Sequence, residues 1–139
     1  MSFEDFVRLK KIRIVGKDIQ RAKALVKMSD NGIATANRFS VDKTSSSSIF
    51  VMYYESLREI IEAMAFSEGY KIYSHEAFTA YLKKLKEERI AEYFDRFRKL
   101  RNGANYYGEA IDPEITKQSK IEIKKLCLEL KEKYFRGLR

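Results

Sequence analysis

The sequence predicts an all-α protein, an antiparallel bundle of four to five helices, and three observations carry that prediction. One proline and six glycines among 139 residues leave little material for the tight turns of a sheet fold. Lys, Arg, Glu, Ile and Leu are abundant, and most of these residue types favour helix. Apolar residues recur along much of the chain at alternating spacings of three and four, the period of a helix with one buried face.

Taken from the N-terminus, residues 1–16 read as an N-terminal extension, a short helix followed by a turn, with Gly16 and Asp18 marking the start of the first long helix. That helix runs from about Asp18 into the Asn37 region through Ile19, Ala22, Leu25, Val26 and Ile33, and Gly32 weakens it. Phe39 to Lys43 make a connector, after which Thr44 and Ser45 to Ser48 offer several N-caps. The serine run is composed like a flexible linker. It is too short and too tightly joined to Ile49-Phe50-Val51 to separate two domains, so residues 1–139 are read as a single helical domain.

Phe50, Tyr53, Tyr54, Leu57, Ile60, Ile61 and Met64 form the strongest apolar stripe, which ends near Glu68-Gly69, where glycine supplies a left-handed terminal residue. Ser74-His75-Glu76 reads as an N-cap and first turn leading into Phe78, Tyr81, Leu82 and Leu85. A further helix carries Ile90 to about Tyr107. Asp112-Pro113-Glu114 opens the last one, with a capping acid, a proline at the first helical position and an acid in the first turn.

A formal charge of +8 and a pI of about 9.5 suit a polyanionic partner and equally a soluble lysine-rich protein. The basic residues are spread out, eight Lys and Arg against three acids in residues 1–28 and the same balance in residues 115–139. That spread favours solvated helix faces over one dedicated nucleic-acid stripe. Cys127 is the only cysteine, which excludes an internal disulfide and a cysteine-rich zinc site and fits a reducing cytoplasm. It shares a stripe with Ile123, Leu130 and Tyr134, the place of a small core filler rather than a nucleophile. No segment approaches the roughly 20 apolar residues of a membrane span, so the chain is read as neither exported nor membrane-embedded. His75 is the only histidine, which rules out a two-histidine metal site, and its place in a first helical turn suggests a local capping role. No phosphate-binding loop, dinucleotide fingerprint or zinc-protease motif occurs, and no cofactor is expected.

The stretch richest in chemistry is Arg98-Lys99-Leu100-Arg101-Asn102-Gly103-Ala104-Asn105-Tyr106-Tyr107-Gly108. Ile90, Tyr93, Phe97, Leu100, Ala104 and Tyr107 line one stripe. With about 100° of turn per residue, Arg101 projects about 40° from Phe97 and Asn105 about 80°. Arg101 therefore points at or beside the packed seam, while Arg98 and Asn102 continue a polar edge toward solvent. A guanidinium stays protonated and asks for an acceptor, whether carboxylate, carbonyl or phosphate. Glu55, Glu59 and Glu62, at helical spacing on the Phe50 helix, are the internal candidates. Tyr106 and Tyr107 offer a ring to a base or a phenol to a phosphate. Tyr107 continues the seam, so packing explains it equally well. Tyr106 points away from the seam if the helix stays regular, and Gly103 is a place where it can bend.

Arg101-Asn102 followed by Tyr106, with Tyr54, Glu59, Ala63, Gly69, Ser74-His75-Glu76 and the Arg98-Lys99-Leu100 lead-in at matching places, resembles the pattern of prokaryotic HEPN-domain proteins over roughly Asp18 to Glu132. The resemblance implies an antiparallel helical bundle that forms a homodimer and binds RNA or nucleotide phosphates. Many small members work as toxins beside a nucleotidyltransferase-fold antitoxin. In active members an arginine, often followed by asparagine, precedes a histidine by little more than one helical turn, and the two copies line an RNA-cleaving cleft. Arg101 and Asn102 match the arginine and asparagine, and Tyr106 stands where the histidine would be. Tyrosine, with a pKa of about 10, is a poor base near neutrality, where histidine at about 6.5 is a good one. Binding, through Arg98, Arg101, Asn102, Asn105 and Tyr107, is the part of the family role that carries over. In some members the partner modifies a tyrosine beside the motif histidine, and Tyr107 is the nearest comparable residue.

Two alternatives stand beside that reading. One is a metal-independent endoribonuclease in which Arg101 works with Tyr106 or His75 as catalytic residues and leaves cyclic-phosphate ends. The other is a non-catalytic protein-interaction module whose arginines make internal salt bridges.

Overall fold

Short polar side chains at the expected positions start three of the long helices, because each accepts a backbone N–H that the first turn would otherwise leave unpaired. In the computed structural model, which describes residues 1–136, Asp18 accepts from Arg21 N at 3.0 Å and opens α2 (Ile19–Ala36). The element before it is α1 (Phe3–Arg8). Ser74 accepts from Ala77 N at 3.2 Å and opens α4 (His75–Lys84). Asp112 accepts from Glu114 N at 2.8 Å, with Pro113 at the first position of α6 (Pro113–Tyr134). The serine run behaves differently. Ser45 precedes α3 (Ser46–Glu68) without capping it, and its hydroxyl is donated to Ser40 O at 2.7 Å. The turn is organised instead by Asp42, whose carboxylate accepts from Thr44 N and Ser45 N, both at 2.8 Å.

α3 is the centre of the bundle, with Phe50, Tyr53, Tyr54, Leu57, Ile60, Ile61 and Met64 all buried. It packs against α2, α6 and α5 (Glu88–Tyr107), and α4 lies on α5. α2 with α3, α3 with α5, and α5 with α6 run antiparallel. Ser29 meets Ser56 across α2 and α3, while Phe50 meets Phe97 and Tyr54 meets Phe94 across α3 and α5. Across α5 and α6, Arg89 pairs with Glu129 and Arg96 with Glu122. The five long helices are those expected from the apolar stripes. Cys127 is a buried filler as expected, and burial pushes its thiol up to about 12.

Gly32 is more than a weak point in α2. A Cβ there would come within 2.5 Å of Ser56 Oγ, so glycine together with the buried Ala22, Ser29 and Ala36 lets α2 settle closely on α3. Gly69 closes α3 at φ 92°, and a Cβ there would also stand 2.9 Å from Val15 O. That close approach starts a small sheet not anticipated from the sequence, in which β1 (Ile12–Ile14) pairs antiparallel with β2 (Tyr70–Ile72). Ile12 stands opposite Ile72, Arg13 opposite Lys71 and Ile14 opposite Tyr70. Three residues per strand are too few for an alternating pattern to stand out. The first sixteen residues, set apart above as an extension, place Phe3, Phe6 and Ile12 in the same core. No helix among the described residues is long and apolar enough to cross a membrane.

Candidate functional site

The buried stripe of α5 runs through Ile90, Ala91, Phe94 and Phe97, slightly rotated from the stripe expected above. That rotation carries Arg98 and Arg101 over the seam and takes Tyr107 off it, and Tyr107 is 76% exposed. Arg98 does not lead toward solvent, since its side chain is 12% exposed. It donates to Asp95 Oδ1 from Nη2 at 2.7 Å and from Nε at 3.1 Å, and Glu76 Oε1 lies 3.8 Å from Nη1. Burial alone would raise the Asp95 carboxyl, but hydrogen bonds from Arg98 and Lys99, with their charges, outweigh it and hold it below the usual range.

Arg101 is placed differently. The glutamates of α3 do not answer it: Glu55 and Glu62 both take Arg58, one turn away on their own helix. Glu59 makes no ion pair among the described residues, and burial raises its carboxyl. Arg101 Nη1 donates to Asn102 Oδ1 at 3.3 Å and to Tyr106 Oη at 3.2 Å. Tyr106 points away from the seam as expected, at 68% exposure, and its ring centre lies 5.4 Å from the guanidinium carbon of Arg101. Arg101 Nε is buried and has no hydrogen-bond partner. Gly103 lies within the continuous α5. It gives room to Glu109, whose Oε2 would stand 2.8 Å from an added Cβ.

The third part of the site comes from α4. Ser74 alone does the capping, which leaves the His75 ring free to turn onto α3. His75 Nδ1 and Tyr54 Oη are 2.6 Å apart, and the two rings stack at 5.6 Å. Phe78 and Phe94 close the apolar side of this pair. Burial lowers the pKa of His75, and the positive charge of Arg101 lowers it further, against a weaker opposing effect of Glu55. The imidazole is therefore neutral near pH 7. Burial and the Glu55 charge raise the Tyr54 phenol, which stays protonated.

Of the residues singled out from the sequence, the fold gathers Arg101, Asn102 and Tyr106, with Arg98 on the same face. Asn105 and Tyr107 are exposed, and their side chains make no hydrogen bond among the described residues. Sequence analysis named His75 as a possible partner of Arg101, whose charge lowers its pKa, but gave no role to Tyr54, which His75 meets. Both belong to the resemblance pattern, but no spacing on either helix says that they meet. No group of His, Cys, Asp and Glu able to hold a metal ion occurs among the described residues. A groove of about 500 Å³ lies between α5 and α6, lined by Arg96, Leu100, Glu114, Ile115, Gln118, Ser119 and Glu122, and does not include Arg101.

Compared with protein-family models, with curated proteins and with solved structures, the chain matches none. Its chemistry rests on the site itself: a permanent cation lacking a carboxylate, a neutral imidazole, and phenols that donate or accept. Chemically, a guanidinium with neutral donors beside it is able to form charge-assisted hydrogen bonds to an oxyanion.

Proposed function

We propose that this protein binds RNA or nucleotide phosphates at Arg101, as a HEPN-type module. The observation that carries the proposal is the buried Nε of Arg101, which has no partner, in a guanidinium that makes no ion pair with a carboxylate among the described residues. A phosphate oxygen supplies both the acceptor and the negative charge. Asn102 and Tyr106 hold the guanidinium from one side, and Arg98, itself tied to Asp95, adds positive potential. Binding of a labelled RNA, followed by fluorescence anisotropy, is expected to weaken by about tenfold to a hundredfold in Arg101→Ala, the range for losing charged hydrogen bonds. Unchanged affinity in a folded variant would sink the proposal.

A metal-independent ribonuclease is the second reading, and the neutral His75, whose pKa the Arg101 charge helps to lower, favours it. In that reaction the ribose 2′-oxygen attacks phosphorus while His75 takes its proton, the bond to the 5′-oxygen breaks, and Arg101 stabilises the charge building on the phosphate oxygens. The leaving 5′-oxygen gains a proton, and the product ends in a 2′,3′-cyclic phosphate. Cleavage in EDTA that disappears in both Arg101→Ala and His75→Ala supports this reading, while cleavage that persists in both overturns it.

Homodimer formation and a nucleotidyltransferase-fold antitoxin belong to the same proposal through the resemblance. A native mass twice that of the chain, and a mass increase on Tyr107 after incubation with such a transferase and ATP, are the outcomes each expects.

A further inference from the structure

We infer that the outward face of the β1–β2 ribbon binds the backbone of a single RNA strand. The onward path of that strand to His75 and Arg101 rests on the function proposed above. Residues directly opposite each other in an antiparallel pair share a face of the ribbon. Arg13 stands opposite Lys71, and Tyr73 N donates to Lys11 O at 2.8 Å, which continues the register by one pair. Lys11, Arg13, Lys71 and Tyr73 therefore occupy one face, while the buried Ile12 and Ile72 occupy the other.

This outward face has no internal explanation. Like charges directly across a strand pair repel and destabilise it, yet Arg13 and Lys71 are so placed. None of Lys11, Arg13 and Lys71 joins an ion pair among the described residues. Both Arg13 and Lys71 approach the Tyr73 ring, at 5.3 and 5.0 Å from its centre, and the ring remains 50% exposed. Two cations over a half-exposed aromatic, with Lys11 in register beside it and no carboxylate paired to any of the three among the described residues, make up a cationic face that carries an aromatic ring. A half-exposed aromatic, whose two cations a phosphate can draw aside, suits a single strand, whose bases can splay out, over a duplex, whose bases are stacked away.

Position joins this platform to the proposed site. Tyr73 and His75 are two residues apart, so their Cα atoms lie within about 7 Å of each other. A strand stacked on Tyr73 can thus continue past the start of α4 to the imidazole and to Arg101. The ligand that fits both places is an oligonucleotide rather than a free nucleotide.

The test measures anisotropy of a fluorescein-labelled oligouridine and, by competition, the affinity for uridine monophosphate. It compares wild-type protein with a Lys11→Gln/Arg13→Gln/Lys71→Gln variant, with Tyr73→Ala and with Arg101→Ala. The triple variant is expected to bind the oligonucleotide at least tenfold more weakly. Its salt slope should flatten by about 2, because each phosphate contact on a single strand contributes roughly 0.7. Binding of the mononucleotide should stay as in wild type. Tyr73→Ala should weaken strand binding with no change in salt slope. Relief of the Arg13–Lys71 repulsion offsets the loss of their two contacts with the Tyr73 ring, so the triple variant is expected to melt close to wild type, and its thermal unfolding curve separates loss of binding from loss of fold. Wild-type strand affinity in the triple variant overturns the inference. So does an equal loss after neutralising three cations elsewhere, Lys23, Lys27 and Lys125, or displacement of RNA by polyglutamate as readily as by unlabelled RNA. A strand affinity lost in the triple variant but kept in Arg101→Ala upholds the ribbon and overturns the function proposed for Arg101.

Discussion

Where α2 lies on α3, the contact is built from Ala22, Ser29, Gly32 and Ala36, and the Ser29 hydroxyl is donated to Ser56 O at 2.7 Å. Where α4 and α5 lie on α3, the contact is built from aromatic rings with His75, Arg98 and Arg101 set among them. Both regions leave a buried polar atom without a partner, Ser56 Oγ in the first and Arg101 Nε in the second. Charge and access separate them. The Ser56 hydroxyl is neutral and shut in by the backbone of Gly32, so its cost is a small local loss. Arg101 is a permanent cation whose surroundings include the exposed Tyr106, so an incoming anion can complete it. The first region is what helix packing leaves over, and the second is what a ligand can use.

The comparison can be broken most forcefully at Gly32. Gly32→Val places branched carbons where a single Cβ already meets Ser56 Oγ, and overpacking is expected to cost about 1 to 3 kcal/mol in urea unfolding. RNA affinity of the folded fraction should not change, because this seam is on the far side of α3 from α5.

Arg101→Ala should do the opposite. It removes a cation that no carboxylate neutralises, so unfolding free energy is expected to stay within about 0.5 kcal/mol of wild type while RNA affinity falls. A loss near 3 to 5 kcal/mol would instead reveal a broken buried pair and would favour the internal salt-bridge account.

Ser56→Ala sharpens the contrast from the other side. Removing an unpartnered buried hydroxyl is expected to leave stability unchanged or raise it by roughly 1 kcal/mol, with no effect on RNA.

The subtlest effect is in pH. Burial first, and then the Arg101 charge, hold the folded pKa of His75 below its ordinary value of about 6.5. The unfolded chain therefore binds a proton more readily, and the stability contributed by neutral His75 is fully present above about pH 6.5 and is lost progressively as pH falls from there through the lower folded pKa. A bound phosphate stabilises the imidazolium, so RNA affinity should rise as the pH is lowered from about 8 to about 5.5. His75→Gln should flatten both profiles, and a rise in affinity that survives the substitution would assign the titration to another group.

The helices were legible because their signals are local and repeated. The stripe from Phe50 to Met64 contains enough turns for its period to stand out, and Asp112-Pro113 combines a cap with a fixed backbone angle at a helix start. The two strands were not, since three residues carry no period and the pairing spans more than fifty residues of chain. The site was half legible. Arg101 beside a packed seam could be read from turn angles, but the direction of Arg98 and the fate of Tyr107 depended on a small rotation of the α5 stripe that spacing alone does not resolve. Glu55 and Glu62 were within reach of the arginines by sequence, yet Arg58 on the same helix was nearer and took both.

By itself the sequence determined the helical class, the order and approximate limits of five long helices, and the presence of an arginine where a core residue was due. Those follow from apolar period, capping residues and backbone preference, which act over one or two turns. Tertiary structure alone decided which charges met. It put His75 against Tyr54 and within the field of Arg101, left Arg101 without a carboxylate, and set Arg13 across from Lys71. Such pairings depend on how helices rotate and cross, and a few degrees of rotation shift a side chain between partners that lie far apart along the chain.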